Sequence, residues 1–127
     1  MTAPTWMNAV IADFGRAAGA EGLALNAAGS SALKFANGAA LRFEYTGEEL
    51  VVAMTFRMVP DASRLRRLLA LANPKASRGL HFRTGIIPKT GAAVVAVRLP
   101  ERDVTLPIVN SVFSALWRAA DEIGGVA

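Results

Sequence analysis

The stretch ALKFANGAALRFEYTGEELVVAMTFRM, residues 32–58, decides how this chain folds. Asn37-Gly38 at its centre is the strongest short hairpin signal a sequence can carry. After it, Ala39, Leu41, Phe43 and Tyr45 alternate with Ala40, Arg42 and Glu44, the period of two expected of a strand with one buried face. Before it, residues 32–36 read as a strand with Leu33 and Phe35 on one side. Thr46-Gly47-Glu48-Glu49 turns the chain again, and residues 50–58 place Leu50, Val52, Met54, Phe56 and Met58 together. Three strands joined by short turns make an antiparallel meander whose apolar face needs a cover. Val51 and Ala53 point the other way and are unexpectedly apolar for a solvated surface.

Working outward, residues 4–18 predict a helix. Thr2 is placed to cap it, and Pro4 sits in the first turn, where a missing N–H costs nothing. Trp6, Met7, Val10, Ile11, Phe14, Ala17 and Ala18 follow the 3.6 period, and Gly19 stops the helix. A short extended piece carries Leu23 and Leu25, and residues 28–30 turn. Downstream, Asp61 caps a helix over 62–72 with Leu65, Leu68, Leu69 and Ala72 on one face and Arg64, Arg66 and Arg67 away from it. Asn73-Pro74 stops it. Residues 79–87 and 92–99 form a second hairpin around Pro88-Lys89-Thr90-Gly91. Thr105 caps the last helix, Pro107 lies in its first turn, and Val109, Val112, Phe113, Leu116, Ala120 and Ile123 form its stripe before Gly124-Gly125. The order α-β-β-β-α-β-β-α predicts an α+β fold, a twisted antiparallel sheet with helices on one face, built as one domain over 1–127.

Composition narrows the function. Hydrophobic residues make up 53% of the 127 and charged residues 19%, more apolar and less charged than an ordinary soluble domain. So much apolar surface predicts a subunit interface. With no Cys, disulfides, zinc–thiolate sites and thiol nucleophiles are excluded, and a single His excludes His-rich metal sites. No apolar run reaches the length of a membrane span and no signal-peptide pattern opens the chain, so the cytoplasm is the expected location. The net charge of +4 is unevenly spread. Arg57, Arg64, Arg66, Arg67, Lys75, Arg78 and Arg83 face Asp61 alone, so this segment carries +6 and the rest of the chain −2.

No residue pattern supports catalysis. His81 has no nucleophile or orienting carboxylate at a suggestive spacing. Glu48-Glu49 and Asp121-Glu122 are adjacent pairs that read as solvated charge. Gly15, Gly19 and Gly22 follow a helix rather than precede one, so they mark its end and do not form a phosphate loop. Arg78-Gly79-Leu80-His81-Phe82 is a partial match to an RNA-binding strand motif, with no aromatic at Leu80. The Arg57–Arg83 segment therefore leaves a second reading open, a basic nucleic-acid-binding domain whose affinity falls steeply with salt. The middle helix needs a partner of its own, because the first and last helices already suffice to cover a small sheet. Trp6 and Trp117 sit on helices whose stripes are complete without them, which suggests partner contact as well as packing.

The whole chain resembles the class I type III secretion chaperones, the family typified by the chaperone of the translocated intimin receptor. The likeness rests on Ala17-Ala18-Gly19 leading to Gly22-Leu23, the Leu33-x-Phe35 strand with Asn37-Gly38, and Leu41-x-Phe43-x-Tyr45. It extends to Leu68-Leu69-Ala70-Leu71-Ala72-Asn73 and to Val95-x-Val97-x-Leu99-Pro100 with the helix after it. It implies a homodimer joined through the middle helix and the following strand, here Leu65, Leu68, Leu69, Leu71, Leu80 and Phe82. It also implies a secreted effector whose N-terminal segment wraps the dimer in extended form, with no ATP, metal or other cofactor. On this chain Trp6, Val10 and Phe14 of the first helix, with Val51 and Ala53 of the sheet, are the expected effector contacts. Family members are usually acidic, whereas this chain has a pI near 10.3 and carries Lys75 and Arg78 after the middle helix. An acidic effector segment is the expected match.

Overall fold

The computed structural model describes residues 2–59, 61–72 and 81–123. Asn73, Pro74, Lys75, Arg78, Gly79, Leu80, Gly124 and Gly125, which carry some of the expectations above, lie outside the described residues. The elements run α1 (Thr5–Ala17), β1 (Ser30–Lys34), β2 (Ala40–Tyr45), β3 (Glu49–Phe56), α2 (Ala62–Ala70), β4 (Arg83–Ile86), β5 (Ala93–Pro100), a single 3-10 turn (Glu101–Asp103) and α3 (Leu106–Ile123). The five strands form one antiparallel sheet in the order β1-β2-β3-β5-β4. The predicted α+β order is thus observed. The strand order adds that β5, not β4, lies beside β3, so the chain crosses through α2 to reach the far edge.

The hairpin at Asn37-Gly38 forms as its residues dictate. Gly38 has φ +90°, its N–H donates to the Phe35 carbonyl at 3.0 Å, and the Phe35 N–H donates to Ala39 O at 2.9 Å. The alternation holds across the sheet: Leu41, Phe43, Leu50, Val52, Met54, Phe56, Val95, Val97 and Leu99 are buried on the helix-covered face. Met7, Ile11 and Phe14 of α1 and Val109, Val112, Leu116 and Ile123 of α3 pack into the same core. Asp61 caps α2, its Oδ1 accepting the Arg64 N–H at 2.8 Å. Thr105 caps α3, its Oγ1 accepting the Ile108 N–H at 3.4 Å.

Several local expectations are corrected. Thr2 does not cap α1; it lies too far before Thr5 for its hydroxyl to reach the first free amides, and Oγ1 donates to Ala27 O at 3.3 Å instead. Leu23 and Leu25 are buried, but their segment is irregular rather than a strand. It is tied to α1 by the Asn8 side chain, which accepts the Leu25 N–H at 2.9 Å. The strand expected over 32–36 spans Ser30–Lys34, because Phe35 already belongs to the turn. Gly15 is an interior residue of α1 rather than part of its end. α2 finishes at Ala70, so Ala72 lies past it and is exposed. In the second hairpin, pairing begins at Arg83, leaving His81 and Phe82 before the strand.

Candidate partner-binding surface

Trp6, Val10 and Phe14 are spaced by four and form one row along α1. Their environments differ sharply. Trp6 is 46% exposed, Val10 is half-buried, and Phe14 is 2% exposed. Phe14 is therefore corrected from a surface contact to a core residue. Its ring stands edge-on to Phe43 at 5.7 Å and to Phe113 at 5.4 Å. It supports from beneath a second row that comes closer to the surface. Phe113 stacks on Phe35 at 5.9 Å, Trp117 meets Phe35 edge-on at 5.1 Å, and Phe113 and Trp117 lie 5.9 Å apart. Phe35, Phe113 and Trp117 are half-buried against the core, as is Leu33. This aromatic row was not singled out from the sequence as a surface, although the i,i+4 spacing of Phe113 and Trp117 was a signal for it.

The row borders β1, an edge strand. The Phe35 N–H to Ala39 O and Tyr45 N–H to Gly29 O bonds set the phase of the ladder. Residues 29, 31, 33 and 35 bond to β2, so the backbone groups of Ser30, Ala32 and Lys34 point outward. Asn26 takes up those of Ser30: its Oδ1 accepts the Ser30 N–H at 3.0 Å and its N–H donates to Ser30 O at 2.8 Å. The outward groups of Ala32 and Lys34 have no strand beside them among the described residues.

The opposite sheet face carries no helix among the described residues. Its residues align in rows through the register: Ser30, Glu44, Val51 and Arg98; Ala32, Arg42, Ala53, Ala96 and Arg83; Lys34, Ala40, Thr55, Val94 and Gly85. Val51 and Ala53 lie here, half-buried by their neighbours. Arg98 pairs with Glu49 at 3.5 Å.

The middle helix has two faces. Leu68 (1% exposed) and Leu71, with Phe82, are covered within the chain, whereas Leu65 is 37% and Leu69 67% exposed. α2 packs beside β4 and α3, and Ile86 on β4 and the adjoining Ile87 are also exposed. Leu80 lies outside the described residues. Of the basic segment, Arg64 pairs with its own cap Asp61 at 3.3 Å and Arg67 donates to the Glu122 carbonyl at 3.4 Å.

At the far end of β5, the Tyr45 hydroxyl, 7% exposed with its residue, donates to Glu101 Oε2 at 3.1 Å and lies 3.0 Å from Gly47 O. Burial, and then the neighbouring Glu101 carboxylate, hold its pKa above the ordinary 10.0. The bond ties the β2–β3 turn to the end of β5, so its role is structural. Among the described residues no group of His, Asp and Glu could hold a metal ion, and no helix is long and apolar enough to cross a membrane.

Comparison with known proteins places this surface in context. No curated protein sequence matches the chain. Solved structures similar in fold include three complexes. The HopA1–SchA chaperone–effector complex has a chain 17% identical with a TM-score of 0.72, covering 95% of this chain and 97% of its own. The ExsC–ExsE complex gives 20% identity and a TM-score of 0.75, over 98% of this chain and 92% of that one. The Yersinia pestis type III secretion chaperone SycH, in complex with a stable fragment of YscM2, gives 19% and 0.70, over 93% and 99%. None of these supports the nucleic-acid reading of the Arg57–Arg83 segment. A family model, that of the type III secretory system chaperone SycN, matches residues 6–124, nearly the whole chain. This chain, from the Trp6 row of α1 to the end of α3, belongs to the SycN family of type III secretion chaperones.

Proposed function

We propose that this protein works as a cytoplasmic homodimer of the class I, intimin-receptor-chaperone type. In this reading it acts as one unit over 1–127 and holds the N-terminal segment of a secreted effector soluble and competent for export, without catalysis. The observation that carries this reading is the half-exposed aromatic row Phe35, Phe113 and Trp117 beside an edge strand with outward backbone groups at Ala32 and Lys34. An extended guest pairing with that edge projects alternate side chains over the apolar row, the usual economy of strand addition. Trp6 and Val10 extend the apolar surface along α1, with Phe14 as its support. Val51 and Ala53 offer a second, flatter contact on the open sheet face. The complexes of chaperone with effector among the similar structures favour the same assignment.

The exposed Leu65 and Leu69, with Ile86 and Ile87 near the β4 edge, support dimerisation there. Leu68, Leu71 and Phe82 act as the floor of that interface rather than its contact surface. Function follows by mass action: a guest bound at 100 times its dissociation constant is held from aggregation by about 2.7 kcal/mol.

Co-expression with the N-terminal segments of secreted proteins from the same genome, followed by mass measurement, tests this. The expected result is a species of twice 13.4 kDa alone and a heavier one with a guest, lost in Trp117→Ser. A monomer that captures no secreted segment would refute it.

A further inference from the structure

A cleft of about 550 Å³ opens at one end of the sheet, between the Asn37-Gly38 turn and the Pro88–Gly91 turn. Its walls are mainly polar. Arg42 and Arg57 supply guanidinium groups beside Thr55 and Thr90, whereas Phe56 and Met58, which also line it, are buried in the core at 1% and 8% exposure. Both arginines are exposed, and neither forms an ion pair with a described residue, whereas Arg16, Arg64 and Arg98 do. From Arg42 a row of small residues crosses the open face. Register places Ala53 and then Ala96 beside it before Arg83. With strands about 4.8 Å apart, the two arginines flank a strip about 14 Å wide floored by alanine.

We propose that this cleft and the alanine strip beside it seat an acidic stretch of the bound polypeptide, its carboxylates on Arg42 and Arg57 and its neighbouring aliphatic side chains over the strip. The inference rests on the chaperone reading above and adds the chemistry of the guest. Charge complementarity commits the site to carboxylates: a guanidinium presents paired N–H donors that match them, and neither guanidinium is held in an ion pair among the described residues. The alanine strip favours polypeptide over nucleic acid. A phosphodiester strand has no aliphatic side chain to lay on Ala53 and Ala96, and it draws its affinity from a longer run of cations than the three here.

The test uses the full chain and two synthetic 15-residue peptides, one alternating Glu with Leu and Val, the other with Gln in place of each Glu. Binding is read by fluorescence anisotropy at 50 and 300 mM salt. The Glu peptide should bind about tenfold more tightly at low salt, from two exposed ion pairs of roughly threefold each, and the preference should shrink at high salt. Arg42→Gln with Arg57→Gln should abolish it, and Arg42→Lys with Arg57→Lys should retain most of it, with unchanged melting curves for both variants. Equal binding of the two peptides, or a preference that survives the Gln pair, overturns the acidic site. So does a 20-nucleotide single strand that competes for it on equal terms. Trp117→Ser separates this from the parent reading. Equal binding of both peptides that Trp117→Ser weakens leaves the chaperone groove standing and removes only the acidic site. No binding of either peptide removes both.

Discussion

Gly15→Ala is a substitution whose sign, rather than size, tests the packing of α1. In an open helix the change stabilises by about 0.8–1 kcal/mol, because Ala gives up less backbone entropy than Gly. At Gly15 a Cβ would stand 2.7 Å from the Ala20 carbonyl oxygen and 2.7 Å from Leu23 Cβ. Both are closer than a Cβ ever approaches its neighbours. One contact is with backbone, and that backbone is held in place because the Ala20 N–H donates to Gly15 O at 2.7 Å. Relief requires the 20–23 segment to move outward, weakening that bond and lifting Leu23 from the core. Overpacking costs about 1–3 kcal/mol and a lost backbone hydrogen bond about 1 kcal/mol. After subtracting the propensity gain, destabilisation of about 1–3 kcal/mol remains. For 127 residues at about 2.1 cal/mol/K each, that is a fall in Tm of roughly 4–11 °C. Urea unfolding followed by circular dichroism, at fixed protein concentration to hold dimerisation constant, measures it. Ala9→Gly at an exposed site of the same helix calibrates the propensity term, with an expected loss of about 1 kcal/mol. A Gly15→Ala protein as stable as the parent or more so would show that the loop does not press on α1 as described.

Other perturbations follow from the same geometry. Tyr45 is the single tyrosine of the chain, so tyrosinate absorbance reads it alone. Its folded pKa lies above 10.0, so stability is full below pH 10 and falls as pH rises toward and through the folded value; Tyr45→Phe should lose that alkaline decline, as seen in melts across pH 9–11. Leu65→Glu with Leu69→Glu should yield a folded monomer by mass measurement, since neither side chain belongs to the core of one chain; an unfolded product or an unchanged dimer would contradict the proposed interface. Phe14→Ala should cost about 3–5 kcal/mol because its ring fills the core between Phe43 and Phe113. Trp6→Ala should change stability little while weakening capture of a guest segment.

Local rules made most of the fold legible. Asn37-Gly38 admits few structures other than a tight turn, and the alternation from Ala39 to Met58 lets only one face be buried. Asp61 and Thr105 cap the helices they precede, because a short side-chain oxygen there reaches the first free amides. The binding surface was less legible. Trp6, Val10 and Phe14 share one stripe, yet α3 and the sheet bury only Phe14, and period alone does not say how far a neighbour reaches. Leu68 and Leu69 are adjacent on α2, and contact within the same chain left one 1% and the other 67% exposed.

Element types, turns, caps and the buried face of each strand followed from residues within a few positions of one another, since backbone dihedrals and short side chains act over that range. The strand order β1-β2-β3-β5-β4 depended on α2 carrying the chain past β3 to the far edge. The meeting of Phe14, Phe35, Phe113 and Trp117, and of Arg42 with Arg57 at one cleft, depended on that order and on how α1 and α3 pack. Such encounters join residues distant in sequence, and they are settled by the closing of a shared core, which no local pattern encodes.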